Sequence, residues 1–382
     1  MDPRALIPPE NPLGYPTPFW FIQLLKVLGF SLHVAAMNIW YAGAPLAAVM
    51  GLLMRGEMQR LGQRIALALP FVLAFGINFG IIPLLFMQVA YYQFFYPATI
   101  LIAWPWFAVF WLVIAGYTGA YLYRLSITGA GPVRLGRAGA WVAAGILLVV
   151  GFLFASGMSL MTNVDGWWRI FRGANVSGAA TGAALNTADP TLVPRWLFML
   201  GLAITTTAAY VAVDSAFLAG NESDRYRRRA ARFSFYLCSV GIVWFAGVGS
   251  WYIFGTRPEA FPTALGDPVM RFIFPLTAVS PGLVWLILLF GRNAPSRRLA
   301  ALAAVAQFGV IVLNAASRQW LQNVELAPYA DLAARKVDLQ LSALIVFLAV
   351  FVAGLALCAW LVWKMIEANR RSGPAAEGEA AA

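Results

Sequence analysis

The chain has very few of the side chains that most metal and redox sites need. Among 382 residues there is one histidine, His33, and there are two cysteines, Cys238 and Cys358. A single histidine excludes haem, copper and zinc sites that take two or more histidine ligands. The cysteines lie in separate apolar segments without CxxC spacing, which favours packing thiols over a metal or redox pair.

Charge is also scarce, since only 11% of the residues are charged and the basic side chains outnumber the acidic ones by 27 to 16. The net charge of +11 raises the question of nucleic acid. However, the arginines fall in connections between apolar runs, so they report membrane topology and no nucleic-acid partner is expected. No soluble domain of useful size and no nucleotide-binding glycine loop is found in the sequence.

Apolar residues dominate what remains, with 61% hydrophobic residues and a mean hydropathy of +0.73. This composition is typical of membrane proteins. About 20 apolar residues cross the roughly 30 Å of hydrocarbon in a bilayer. The sequence predicts an all-α polytopic membrane protein with nine such spans, at about 19–53, 65–95, 98–123, 138–162, 193–219, 233–255, 270–291, 298–317 and 339–364.

The distribution of basic residues predicts the orientation. An odd number of spans puts the two termini on opposite sides of the membrane. Seventeen basic residues flank the spans on one side and nine on the other, and Lys26 lies within the first span. By the positive-inside rule the N-terminus faces out and the C-terminus faces the cytoplasm. The predicted parts are an outer segment (1–18), a transmembrane domain (19–366) with a long outer loop (163–192), and a disordered cytoplasmic tail (367–382). The adjacent Trp167 and Trp168 make that loop a candidate docking surface.

Polar residues inside the spans are the places where function is expected. Amides predominate among them, and amides commonly hydrogen-bond helices together. Asp214 lies near the inner end of its span, where water or the basic cluster 225–232 would reach it. A proton relay there, and hence a transporter, is the weakest of the functions considered, because no matched halves are visible. The polar residues are Gln23, Lys26, His33, Asn38, Asn78, Gln88, Gln93, Asp214, Gln307 and Asn314.

His33 is the most informative of these, because an intramembrane imidazole is costly unless it is paired or bound. Met37 follows one turn later on the same helix face. The two cannot both ligate one haem iron, since axial ligands approach from opposite faces of the ring. One axial bond from His33 remains feasible. The alternative is a histidine hydrogen-bonded to a neighbouring carbonyl or amide.

Arg195, Arg271 and Arg318 stand at the predicted outer ends of spans. Snorkelling towards the headgroups explains such positions. They would equally suit anionic partners, such as haem propionates or the carboxylates of a partner protein.

Several motifs resemble subunit I of the cytochrome bd quinol oxidases. The most specific are LHVAAMNIWYAGAPLA, which contains His33, and FGINFGIIPLLFMQVAYYQFF in the second span. PRWLFMLGLAITTTAAY, MRFIF and ASRQW are weaker matches in later spans. Nine spans with an outward N-terminus also fit that family. The resemblance implies the subunit I helix bundle, a haem-binding position for His33, and a bacterial inner (plasma) membrane location.

The departures from the family fall on its haem chemistry. Phe198, Ile273 and Ala315 occupy places of haem ligands, and Gln88 replaces an essential acidic residue. The first three side chains have no lone pair for iron, so at least two of three haem sites are expected to be empty. The connection from Gly255 to Val269 is also short, where the oxidases have an extended quinol loop.

The resemblance therefore predicts a scaffold or anchoring subunit of a respiratory or photosynthetic electron-transfer complex, without autonomous oxygen reduction. The alternative is a quinol-oxidising electron-transfer subunit with one haem b on His33 and a quinone near Lys26, Asn38, Gln88 and Gln93. The cofactor is thus either none or a single haem b, with quinone as a further candidate. Membrane lipid and membrane or outer-face electron-transfer subunits, such as cytochromes, are the expected partners. The candidate cofactor-binding residues are His33, as the iron ligand, with Met37, Asn38, Gln88, Arg271 and Arg318.

Overall fold

Nine helices within residues 3–371, the part of the chain that the computed structural model describes, are long and apolar enough to cross a membrane. This confirms the prediction of an all-α polytopic membrane protein. The helices are α1 (Phe19–Leu53), α2 (Gly56–Ala90), α3 (Tyr92–Leu101), α4 (Ala103–Ile127), α5 (Val133–Thr162), α6 (Val164–Gly173), α7 (Leu192–Val213), α8 (Asp224–Ser250), α9 (Ala260–Gly266), α10 (Met270–Val279), α11 (Pro281–Gly291), α12 (Arg297–Leu326) and α13 (Leu341–Arg371).

Helix α1 is the centre of the bundle and packs against α2, α5, α7 and α12. Small residues on α1 allow this close approach. A Cβ atom at Gly51 would lie 2.0 Å from the Tyr123 hydroxyl, and one at Gly62 of α2 would lie 2.4 Å from the Gly51 nitrogen. Helices α4 and α5 approach in the same way at Gly119 and Gly139, where a Cβ on either would lie 2.6 Å from the carbonyl oxygen of the other. Such small-residue contacts are the usual basis of helix packing in membranes.

Two ends of the bundle are distinguished by ion pairs between distant helices. The end at which α1 begins is here called the N-side, and the end at which α1 finishes is the C-side. Arg195 of α7 pairs with Glu325 of α12 at the N-side, while Arg64 of α2 pairs with Asp214 after α7 at the C-side. These pairs show that successive spans run in alternating directions.

Three helices extend beyond the predicted apolar runs. Helix α2 begins at Gly56 rather than at 65, α8 begins at Asp224 rather than at 233, and α12 ends at Leu326 rather than at 317. The hydrophobic pattern marks only the part of a helix that needs hydrocarbon around it. Several side chains in these added turns are polar and have partners elsewhere in the chain.

The segment 163–192 is more ordered than a plain loop. It contains α6, followed by a hairpin of β1 (Asn175–Val176) and β2 (Ala179–Ala180). Trp167 is fully buried, and its Nε1 donates to the carbonyl oxygen of Leu160 at 2.8 Å. Its proposed role in a docking surface is therefore wrong, because the indole anchors α6 to the end of α5. Trp168 is only partly buried.

Helix α13 lies at the edge of the bundle. None of its most apolar segment is buried inside the protein. One of its few contacts is an edge-to-face ring pair between Phe347 and Phe86 of α2, with centroids 5.4 Å apart. The predicted disordered tail, 367–382, begins within this helix, and residues 372–382 lie outside the described part of the chain.

Candidate functional site around His33

His33 packs against two glycines of α2. Its Nδ1 lies 2.7 Å from the carbonyl oxygen of Gly76. A Cβ atom at Gly80, one turn later, would lie 2.9 Å from both Nδ1 and Cε1 of the imidazole. The two glycines therefore let the ring edge reach the backbone of α2, and a larger residue at position 80 would displace it.

The hydrogen bond to Gly76 determines the tautomer of the neutral ring. A carbonyl oxygen only accepts hydrogen bonds, so Nδ1 carries the proton and donates it. The lone pair is then on Nε2, which makes no hydrogen bond within residues 3–371. A histidine held in this way through Nδ1 is the usual arrangement where Nε2 binds a metal. The same bond also satisfies the imidazole as a purely structural group.

Arg318 of α12 is the charged side chain that faces His33. Its guanidinium carbon lies 4.5 Å from the ring centroid of Phe30, whose ring is 6.3 Å from that of His33. In the described chain Arg318 makes no hydrogen bond or ion pair. A buried guanidinium that makes no hydrogen bond or ion pair, and that lies near Tyr252 and Glu325, suits an anionic group such as a propionate or a carboxylate.

Asn38 joins helices rather than facing a cavity. Its Nδ2 donates to Thr206 Oγ1 at 3.0 Å, and its carbonyl oxygen accepts from Thr207 at 3.2 Å. Gln307 of α12 donates to the same Thr206 hydroxyl at 2.9 Å and to Thr205 at 3.1 Å. These amides connect α1, α7 and α12, as predicted for amides that hydrogen-bond helices together.

The other candidate site residues have surroundings of different kinds. Met37 is half-buried and packs between two hydrophobic clusters. Gln88 accepts a hydrogen bond from the Tyr96 hydroxyl at 3.3 Å. Arg271 is exposed and donates from Nε to the carbonyl oxygen of Pro268 at 3.3 Å. The polar contacts of Gln88 and Arg271 therefore involve neither His33 nor Arg318.

The positions assigned to lost haem ligands are packed. The Phe198 ring lies 4.6 Å from that of Phe245 and 6.1 Å from that of Tyr252, between centroids. Ala315 is 3% exposed, and Ile273 is partly buried. The space beside Phe198 is thus filled by aromatic side chains.

A polar cluster at the N-side was only partly predicted. Lys26 is 5% exposed, donates to Gln322 Oε1 at 3.1 Å and lies 4.1 Å from the Tyr91 ring centroid. The Tyr91 hydroxyl donates to Asn323 Oδ1 at 2.6 Å and accepts from Gln319 at 2.6 Å. The apolar run of this span ends at 317, so the amides beyond it were not among the predicted polar residues. Their spacing of three and four residues was the signal for a polar helix face.

Beside this cluster lies a buried charge network. Glu325 is paired with Arg195, at 3.7 Å, and with Arg257. Both guanidinium groups stand over the Tyr252 ring, 5.7 and 6.0 Å from its centroid. Nearby, Asp267 Oδ1 accepts hydrogen bonds from the backbone N–H groups of Val269 and Met270, each at 2.9 Å, and these bonds lower the pKa of its carboxyl group.

Two further residues with proposed ligand or proton roles have protein partners. Asp214 accepts from Arg64 Nε at 2.8 Å and from Nη2 at 2.7 Å, so its partner is α2 and not the cluster 225–232. Gln93, one of the residues expected near a quinone, donates to the carbonyl oxygen of Pro8 at 2.5 Å and accepts from Arg335. The bidentate pair engages both carboxylate oxygens of Asp214 with the guanidinium of Arg64.

These features define a multi-pass helical membrane protein with a half-buried histidine at the centre of the bundle. No protein-family model matches the chain, and no curated protein is significantly similar to it.

Proposed function

We propose that the chain is a membrane-embedded scaffold or anchoring subunit of a respiratory or photosynthetic electron-transfer complex, related to cytochrome bd subunit I. The observation that carries the proposal is the packing of Phe198, whose ring lies 4.6 Å from Phe245 where the resemblance expects a haem ligand. A subunit that is retained for its shape is expected to keep its number of spans, while packed side chains take the places of the cofactor ligands.

The proposed setting is a bacterial inner membrane with the N-side outward and the C-side in the cytoplasm. The seventeen basic residues of the C-side against nine on the N-side support this orientation. The N-side would then present α6 and α9 to outer-face partners. Helix α13, with none of its most apolar segment buried, suits contact with lipid or with a partner's helix.

The test is co-purification of the tagged full chain from its native membranes in a mild detergent. We expect it to elute at a constant ratio with a cytochrome-containing complex, and deletion of its gene to lower the assembled amount of that cytochrome. A Cβ at Gly354 of α13 meets nothing within 4 Å inside the chain, so a larger side chain there affects contacts with a partner and not the fold. Gly354→Trp should therefore weaken this association. Gly145→Trp on α5, equally free of internal contacts, is the matched control. A monomer whose deletion leaves every cytochrome unchanged would refute the proposal.

A second candidate is a quinol-linked electron-transfer subunit with one haem b. It is favoured by the free Nε2 of His33 and by Arg318, which has no hydrogen bond or ion pair among the described residues. The donor chemistry fits, since His33 would hold the iron and Arg318 would pair with a propionate. The haem would supply one-electron redox chemistry. Arg318 would fix its orientation, and the bond from His33 to Gly76 would fix the plane of the imidazole.

Haem content and quinol-dependent cytochrome reduction separate the two candidates. His33→Asn keeps a donor for Gly76 but removes the Nε2 lone pair. With the second candidate, the purified wild type holds one haem per chain, His33→Asn loses both haem and quinol activity, and the control Met37→Leu keeps both. Wild-type protein purified without stoichiometric haem from haem-replete cells would refute this candidate and agree with the scaffold.

A further inference from the structure

We propose that the C-side half of α8 binds an anionic glycerophospholipid such as phosphatidylglycerol. The phosphodiester would lie among the arginines that open the helix, and an acyl chain would follow the apolar groove below them. The site is separate from His33 and independent of the proposed function.

The headgroup end is a surface groove of about 560 Å³ between the start of α2 and the start of α8. Four arginines line it, together with Met58, Phe233 and Tyr236. Among the described residues, the carboxylate of Glu57 pairs with Arg225 at 2.8 Å and with Arg229 at 3.6 Å, and that of Asp224 pairs with Arg227 and lies near Arg228. Arg228 and Arg232, the other two arginines, make no hydrogen bond or ion pair within residues 3–371. The groove therefore has an excess of positive charge with free guanidinium donors.

The position of this charge on the helix adds a second argument. Helix α8 begins at Asp224, with the Ser223 hydroxyl accepting from Tyr226 N at 3.1 Å. The N-terminal end of a helix carries a partial positive charge, so arginines in its first turns are unfavourable unless an anion offsets them. Guanidinium groups bind phosphate oxygens through paired, charge-assisted hydrogen bonds. A phosphate at this place satisfies both the side chains and the helix.

The apolar end continues on the same face of α8. Arg232, Tyr236, Val240, Val243 and Gly247 are spaced three or four residues apart, which puts them in one stripe. Tyr236, Val240 and Val243 are 58%, 57% and 74% exposed. A second groove, of about 550 Å³, is lined by Val240, Val243, Gly247 and their neighbours.

The length of this stripe fits an acyl chain in one leaflet. From Tyr236 to Gly247 the helix rises about 16 Å at 1.5 Å per residue. This is close to half of the roughly 30 Å hydrocarbon thickness. A basic groove at the membrane surface that leads into an apolar groove of one-leaflet depth is the complement of a single phospholipid.

Native mass spectrometry of the full chain, titrated with phosphatidylglycerol or phosphatidylcholine, tests the proposal. We expect the anionic lipid to bind about tenfold or more tightly than the zwitterionic one, because the arginines that hold the phosphodiester would repel the trimethylammonium group of phosphatidylcholine. Arg228→Gln with Arg232→Gln should abolish this preference. The matched control, Arg134→Gln with Arg137→Gln, changes two exposed C-side arginines on α5 and should keep it.

A second variant tests the apolar half without touching the charge. A Cβ at Gly247 meets nothing within 4 Å, so Gly247→Phe is tolerated by the fold and fills the groove. It should weaken long-chain phosphatidylglycerol severalfold while leaving a short-chain analogue unaffected. Equal losses in both arginine pairs would mean general surface electrostatics and would overturn the proposal. Three other results would also overturn the proposal. They are equal binding of phosphatidylcholine, full competition by inorganic phosphate, and a co-purified protein helix that covers the stripe.

Discussion

Replacement of Glu325 by glutamine probes the buried charge network at the N-side. The Glu325 side chain is only 8% exposed, and those of its partners Arg195 and Arg257 are 13% and 20% exposed. Glu325→Gln removes the carboxylate that pairs with both guanidinium groups, and Asp189 remains as a carboxylate near Arg195. Removing one partner of a buried ion pair costs about 3 to 5 kcal/mol. With an unfolding entropy of about 2.1 cal/mol/K per residue, this corresponds to a drop in Tm of about 4 to 6 °C for a chain of this length.

The assay is thermal unfolding of the purified protein in one detergent, followed by size-exclusion chromatography after heating. Glu57→Gln is the matched control, because Glu57 also pairs with two arginines, Arg225 and Arg229, whose side chains are 76% and 53% exposed. Exposed pairs contribute about 1 kcal/mol or less, so Tm should fall by about 1 °C at most. Equal shifts for the two glutamines, or no shift for Glu325→Gln, would refute the assignment of a buried network.

Three further outcomes are expected. Asp214→Asn removes one of the two carboxylates that pair with Arg64, the other being Glu222 at 3.3 Å, and should cost about 1 to 3 kcal/mol; recovery of Tm in the Asp214→Asn, Arg64→Gln double variant measures the coupling, and additive losses would contradict it. Gly80→Ala puts a methyl group 2.9 Å from the His33 ring and should destabilise by about 1 to 3 kcal/mol, with partial relief in His33→Ala; an unchanged Tm would contradict the contact. Burial raises the pKa of Tyr15 from 10.0 to about 12. The folded state then holds that proton more tightly than the unfolded chain. Stability present below pH 10 should therefore fall by up to about 3 kcal/mol as the pH rises to 12, less so in Tyr15→Phe.

The sequence was sufficient for the apolar centre of each span, because burial in hydrocarbon demands about 20 apolar residues wherever the span lies. It was not sufficient for the helix ends. The predicted end of the eighth span at 317 excluded Gln319, Gln322 and Glu325, which continue α12 because their polar groups find partners on other helices. Such partners are tertiary contacts, and the local hydropathy of the sequence does not reveal them.

The candidate site was predictable in the same partial way. The interhelical role of Asn38 followed from its chemistry, since a buried amide in a membrane needs a partner. The hydrogen bond from His33 to Gly76 required the register of α1 against α2, which no local pattern gives. For Asp214 the sequence indicates water or the nearby cluster 225–232 as the partner, whereas the fold pairs it with Arg64, 150 residues earlier.

The central position of α1 has a consequence for the order of synthesis. Helix α1 leaves the ribosome before the helices it packs against, and the partners of Asn38 and Lys26 are Thr206 and Gln322, which are made 168 and 296 residues later. Until then both polar groups must be satisfied by water, lipid headgroups or the insertion machinery. We expect crosslinks from position 26 of arrested nascent chains to move from the insertion machinery to α12 only after α12 has emerged. Release of α1 into lipid before α7 would contradict this, because the contacts of α1 are complete only once α12 has been made.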